Sequence, residues 1–146
     1  MARLSRFVLP LAAAASIGAA ACQKPEPPAP PPVAPPGLRV TGIDVGKSVT
    51  AEKLISTPTQ VFGPQDTVYA SIATEGVSRG NRVGARFIYE TGQLVFQSNQ
   101  PVTAIGPSRT EFHIWRDAGW PLGRYRVEVF IDSVTAGSRE YVVKKD

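Results

Sequence analysis

One histidine, one cysteine and two tryptophans set the chemistry open to this 146-residue chain. Nucleophilic catalysis of the Ser-His-Asp or Cys-His kind needs an imidazole to take the nucleophile's proton, and His113 is the one available. It lies in Glu111-Phe112-His113-Ile114-Trp115, where alternation sends Phe112 and Ile114 to one face and Glu111, His113 and Trp115 to the other. No serine sits in a Gly-x-Ser-x-Gly elbow. A zinc site needs several His or Cys ligands, which the chain does not hold, and no Asp-x-Asp loop marks calcium. The glycines at Gly80 and Gly84 lack the Lys-Ser/Thr ending of a phosphate loop. Paired carboxylates need only be close in space, and nothing in the chain marks a pair. The expectation is a protein that is not an enzyme, with no metal and no cofactor.

Recognition is the chemistry that remains, through large flat side chains that bury area at small entropy cost. Trp115 shares a strand face with His113, and Phe130 shares one with Arg124, Arg126 and Glu128. Trp120 falls in the turn between those two strands. If the strands pair as a hairpin, His113, Trp115, Trp120, Arg126 and Phe130 form a candidate binding patch. The alternative lays Phe130 against a second sheet and folds Trp120 over the end of the domain as a plug. Isolated exposed aromatics need no partner.

The elements that must position these residues are strands, because the periodicity from Gly37 onward is two. Val68, Ala70 and Ile72 share a face. Val83, Ala85, Phe87 and Tyr89 alternate with Gly84, Arg86 and Ile88. Leu94 and Phe96 follow, then the stretch from Arg109 to Arg116. Tyr125, Val127, Val129 and Ile131 alternate with Arg124, Arg126, Glu128 and Phe130, and Tyr141 and Val143 close the chain. Turn signals separate the runs at Gly63-Pro64, Glu75-Gly76, Thr91-Gly92, Gly106-Pro107, Ala118-Gly119 and Asp132-Ser133. Ser48 to Ser56 reads as irregular or a short strand, since no capping pair favours a helix there.

About seven short antiparallel strands with turns every 8–12 residues point to an all-β, immunoglobulin-like β-sandwich over residues 38–146. The phrase Gly123-Arg124-Tyr125-Arg126-Val127 resembles the approach to the penultimate strand in immunoglobulin-like modules of bacterial envelope proteins. The resemblance implies a tyrosine corner at Tyr125, whose hydroxyl would bond back to the backbone, although plain core packing serves that ring equally well. The antibody-type cysteine pair is absent. The 110 residues from Gly37 onward can bury roughly two thirds of their unfolded surface without disulfide or metal.

Ahead of the domain, Arg3 and Arg6 precede an apolar run from Phe7 to Ala21 that ends in small residues, the pattern of a secretory signal. The run is shorter than the roughly 20 residues that span a bilayer, and Pro10 interrupts it. Ala19-Ala20-Ala21-Cys22 resembles the lipobox of bacterial lipoproteins, with alanine at position 19 where that family usually has leucine. The resemblance implies a signal peptide over 1–21 and acyl chains on Cys22 that hold the protein to a membrane. Ordinary secretion is the competing reading. Residues 22–37 form a tether in which eight of the twelve residues from Pro25 to Pro36 are proline. Such a run adopts extended polyproline II, a spacer after a lipid anchor or, alternatively, a PxxP docking ligand. Gln23 is not the Asp that favours inner-membrane retention in such lipoproteins, so the resemblance implies the outer membrane with the domain facing the periplasm.

Without Arg3 and Arg6, the 16 Lys+Arg fall to 14 against 12 Asp+Glu, a mixed-sign surface with no nucleic-acid footprint. The expected function is a lipid-anchored, non-catalytic module that contacts another envelope protein. The second expectation is a carbohydrate- or peptidoglycan-binding module in which Trp115 or Trp120 stacks on sugar. A third, an enzyme on a sandwich scaffold, requires a carboxylate pair visible only in three dimensions. Fold cannot rank these readings.

Overall fold

β-Branched and aromatic residues at alternate positions favour strands because such side chains pack well on a pleated surface with one face buried. The computed structural model describes residues 37–145. The expected signal peptide, Cys22 and the proline-rich run up to Pro36 lie outside the described residues. The strands are β1 (Arg39–Gly46), β2 (Val61–Phe62), β3 (Val68–Glu75), β4 (Val77–Tyr89), β5 (Leu94–Ile105), β6 (Ser108–Ile114), β7 (Gly123–Ile131) and β8 (Val134–Val143). They form a small sheet ordered β1-β3-β6 and a large sheet ordered β2-β8-β7-β4-β5. Neighbouring strands are antiparallel except β2, which pairs in parallel with β8 through Val61↔Val142 and Phe62↔Val143.

The inward faces are the expected ones. Val68, Ala70 and Ile72 of the small sheet meet Val83, Ala85, Phe87, Val127 and Val129 of the large one, all fully buried. Each large side chain so buried contributes roughly 1.5–3 kcal/mol. Phe112 and Ile114 also face the core and leave His113 outside. The hydroxyl of Tyr125 donates to Pro121 O at 2.8 Å, which makes it the tyrosine corner that the resemblance implied.

All six expected turns separate strands. Thr91-Gly92 and Asp132-Ser133 close hairpins within the large sheet, whereas Glu75-Gly76 and Gly106-Pro107 carry the chain from one sheet to the other. Asp132 and Ser133 both have positive φ (47° and 77°), the type I′ pattern that the twist of a two-residue hairpin favours. Asp132 is held there by its own carboxylate, which accepts from Arg82 N–H at 2.7 Å and from the Asn81 amide. The segment Lys47–Thr57 is a small irregular hairpin with a single Val49↔Ile55 bridge, and its Lys53 carbonyl accepts from the buried Ser71 hydroxyl.

Two polar groups lead to predictions. Tyr141 stacks on Tyr125 at 5.2 Å and meets Phe62 edge-on, yet its buried hydroxyl has no hydrogen-bond partner among the described residues. Burial, with Tyr125 beside it, pushes its pKa far above the usual phenol value. An unsatisfied buried hydroxyl costs about 1–3 kcal/mol, so Tyr141→Phe is expected to raise the urea midpoint, by the equivalent of about 1 kcal/mol. A lower midpoint would mean that the hydroxyl has a partner.

The second group is Asp66. Partial burial works to raise its pKa, but Lys47 Nζ at 2.7 Å and Gly63 N–H at 2.7 Å outweigh that and hold it below the usual carboxylate range. Asp132 is likewise lowered, chiefly by Arg82 N–H. A folded pKa below the unfolded one contributes stability above the unfolded value, about 3.9, and that stability is lost as pH falls through the folded value. Urea midpoints measured from pH 7 to pH 2 are therefore expected to fall below about pH 4, with a shallower fall in Asp66→Asn.

Candidate binding face

The expected five-residue patch does not form, because β6 and β7 belong to different sheets. The segment from Trp115 to Leu122 crosses between sheets where a hairpin was expected. Its crossing is fixed by Trp120, whose backbone N–H donates to Pro64 O at 2.7 Å and whose Nε1–H donates to Asp66 O at 2.8 Å. The Trp120 ring, buried to 3 % exposure, packs edge-on against Tyr125 at 5.5 Å and plugs that end of the sandwich.

Phe130 follows neither expectation. It stays on the outer face of the large sheet but is buried there, lying over its cross-strand partner Gly84 with the Arg86 guanidinium 4.8 Å from the ring centroid. Gly84 has no side chain to hold the ring off the strand, and the cation covers it from solvent. Arg126, also on this face, has Nε 3.7 Å from a Glu128 oxygen, and Arg86 reaches the same carboxylate. Arg126 and Phe130 are therefore on the opposite side of the sandwich from His113.

On the outer face of the small sheet, His113 and Trp115 remain together and gain Tyr69. Register pairs Tyr69 with His113 across β3 and β6, and their ring centroids are 5.2 Å apart at 33°. His113 and Trp115, two residues apart on one chain, stack at 6.4 Å and 21°. The imidazole is aimed by Glu111, to whose Oε1 the His113 Nδ1–H donates at 2.7 Å. Trp115 ends the row at 62 % exposure. The alternation of Val68, Ala70 and Ile72 already places Tyr69 on this face. Its partnership with His113 needed the register.

A groove runs beside the row, between the edge strands β5 and β6, lined by Phe96, Ser98, Gln100, Glu111, Phe112 and His113. The Gln100 amide donates to Glu111 O at 2.8 Å and stitches the two sheet edges together. The groove thus offers hydroxyl, amide, carboxylate and imidazole groups between aromatic rings. These groups can stack and hydrogen-bond, and His113 is already bonded to the Glu111 carboxylate. Among the described residues no group of three or more His, Cys, Asp or Glu side chains gathers as a metal site.

No protein-family pattern matches the sequence, and no curated protein matches it. Solved structures do match the fold. An immunoglobulin-like protein from Pseudomonas aeruginosa superposes with a TM-score of 0.54 at 15% identity, over 75% of this chain and 98% of that one. The C-terminal domain of wzt superposes with a TM-score of 0.50 at 11% identity, over 75% of each chain. At such identities the likeness concerns architecture, and it defines the described residues as an immunoglobulin-like β-sandwich.

Proposed function

We propose that this protein is a non-catalytic binding module, anchored through acyl chains on Cys22 at the outer membrane and facing the periplasm, that contacts another envelope protein. The observation that carries the reading is the Tyr69–His113–Trp115 row, an aromatic surface whose last ring is 62 % exposed. Exposed tryptophan beside tyrosine is a common binding anchor. The lipobox resemblance and the proline-rich spacer support the anchoring.

A photo-crosslinking residue at His113 tests it in living cells, with Ser138 on the opposite sheet as the control. Arg86 would be a poor control because its guanidinium covers Phe130. A discrete protein adduct from position 113 and none from 138 is expected. No adduct from 113, or the same adduct from both, would count against the reading.

The groove lined by Ser98, Gln100 and Glu111 favours one other reading, a glycan ligand stacked on Trp115. Trp120 no longer belongs to it, since its ring is buried. Sedimentation of the protein with purified cell wall, lost in Trp115→Ala, is the outcome that reading requires.

A further inference from the structure

Every open sheet ends in two edge strands, each with a row of backbone groups turned away from its neighbour. Here the edges are β1 and β6 of the small sheet and β2 and β5 of the large one. Three of them are short or partly covered. β2 has two residues. β1 is met by the returning chain, where Gly46 bridges to Pro58 and Thr59 N–H donates to Val45 O. On β6 the Glu111 carbonyl accepts from the Gln100 side chain. β5 is left, 12 residues from Leu94 to Ile105 without one charged side chain. Edge strands are ordinarily protected from pairing by charge.

Register fixes which β5 groups face outward. Arg82 turns both backbone groups to Asp132, on the β7 side of β4. Backbone direction alternates along antiparallel pairs, so Gly84 and Arg86 also turn to β7, while Val83 and Ala85 bond to Gln100 and Ser98 of β5. The backbone groups of Gln97 and Asn99, and the Pro101 carbonyl, therefore turn to the open edge, where no strand follows. Their alternating N–H and C=O groups are matched by an extended polypeptide.

The same two residues carry positive charge above them. Arg82 Nε donates to Asn99 Oδ1 at 2.6 Å, and Arg86 Nε donates to Gln97 Oε1 at 3.0 Å. Both guanidiniums are thus drawn from β4 over the outer face of β5. Arg82 has no ion pair among the described residues, and Arg86 shares Glu128 with Arg126, each at 3.7 Å. A strand added to β5 would turn the side chains opposite Gln97 and Asn99 toward these arginines. Its remaining side chains would lie over the groove, against Phe96 and His113.

We propose that the open edge of β5 receives an extended segment of a partner protein as a further strand, with acidic side chains at the alternate positions that face Arg82 and Arg86. The proposal rests on the protein-contact reading above and names what the partner presents. β5 of a second copy fits poorly, because it brings no acid to the arginines.

The test uses the full chain and a short synthetic peptide of alternating glutamate and valine. Amide hydrogen exchange read by NMR is expected to slow about tenfold at Gln97 and Asn99 when the peptide is added. Ser98 and Gln100, bonded to β4, should be protected without it. The same peptide with lysine in place of glutamate should slow neither amide. Asn99→Pro removes one outward N–H and leaves the β4 ladder intact, as Pro101 already does two residues on. It is expected to abolish the peptide's effect at Gln97, whereas Asn99→Ala keeps it. Exchange at Gln97 and Asn99 unchanged by the glutamate peptide would overturn strand addition, and equal slowing by both peptides would overturn the acidic partner. Both comparisons use the unaltered chain, so they decide even if Asn99→Pro unfolds. Protection at both amides without peptide, in a chain that sediments as a dimer, would give the edge to a second copy. In cells, the adduct from a crosslinker at His113 should persist in Asn99→Ala and disappear in Asn99→Pro. An adduct kept in a folded Asn99→Pro would overturn strand addition and leave the protein-contact reading standing. No adduct from His113 in any of these chains, with exchange still slowed by the glutamate peptide, would end that reading and leave the edge as a strand acceptor.

Discussion

Trp120→Ala is expected to destabilise the protein by about 3–5 kcal/mol, the range for deleting a large buried aromatic. Native domains of this size hold about 5–15 kcal/mol in all, so the variant should be partly unfolded at moderate temperature or fail to accumulate. The loss has three sources. The ring contacts Tyr125, the Nε1–H bond to Asp66 O disappears, and the backbone at Asp66 sits beside the Lys47–Asp66 pair. Removing the indole therefore loosens the plug and the turn at Gly63–Thr67 together. Trp115→Ala provides the contrast: at 62 % exposure it should change stability by less than about 0.5 kcal/mol. Urea unfolding of the two variants side by side checks the assignment. A mild Trp120→Ala would return that ring to the surface and make it available for binding again.

Gly84→Ala is expected to cost about 1–3 kcal/mol, with a sign opposite to the usual rule. In a strand interior, glycine is ordinarily worse than alanine by roughly 0.5–1 kcal/mol, so the substitution would normally stabilise. Here a methyl group at position 84 would lie 2.2 Å from Phe130 Cζ and 2.3 Å from Cε2, inside the ring's own volume. The ring must lift, which exposes it and removes the surface on which the Arg86 guanidinium rests. Phe130→Leu should relieve the clash, so the double variant should be more stable than the two single losses add up to. The coupling from a double-mutant cycle of urea midpoints measures this directly. Additive losses would show that Gly84 is required for a reason other than the ring.

Much of the fold was legible in residue alternation, and the failures have identifiable causes. β1 escaped notice because a register shift between Val40 and Gly42 breaks the period, leaving Val40, Ile43 and Val45 unevenly spaced. β5 was visible only at Leu94 and Phe96, since the polar run from Gln97 to Gln100 and Pro101 carry no apolar alternation. The strand tolerates them because it is an edge. Arg82 bonds through both backbone groups to Asp132 on its other side, so Pro101 opposite it is not asked for a donor to β4. The first half of β8 has no alternation to read, being an exposed arm of the β7–β8 hairpin.

The candidate site divides along the same line. Alternation within Glu111–Trp115 determined that His113 and Trp115 point outward, because successive side chains of any strand leave opposite faces. Composition and turn chemistry determined an all-β domain, and the residues ahead of it an expected signal, anchor and spacer. Which outward residues become neighbours was decided only by tertiary structure. Strand pairing is a long-range choice made by burial and connection geometry, and alternation within one strand carries no record of it. That choice put Tyr69 beside His113, moved Arg126 and Phe130 to the other side, and decided between the two expectations for Trp120 in favour of the plug that carries the chain between the sheets.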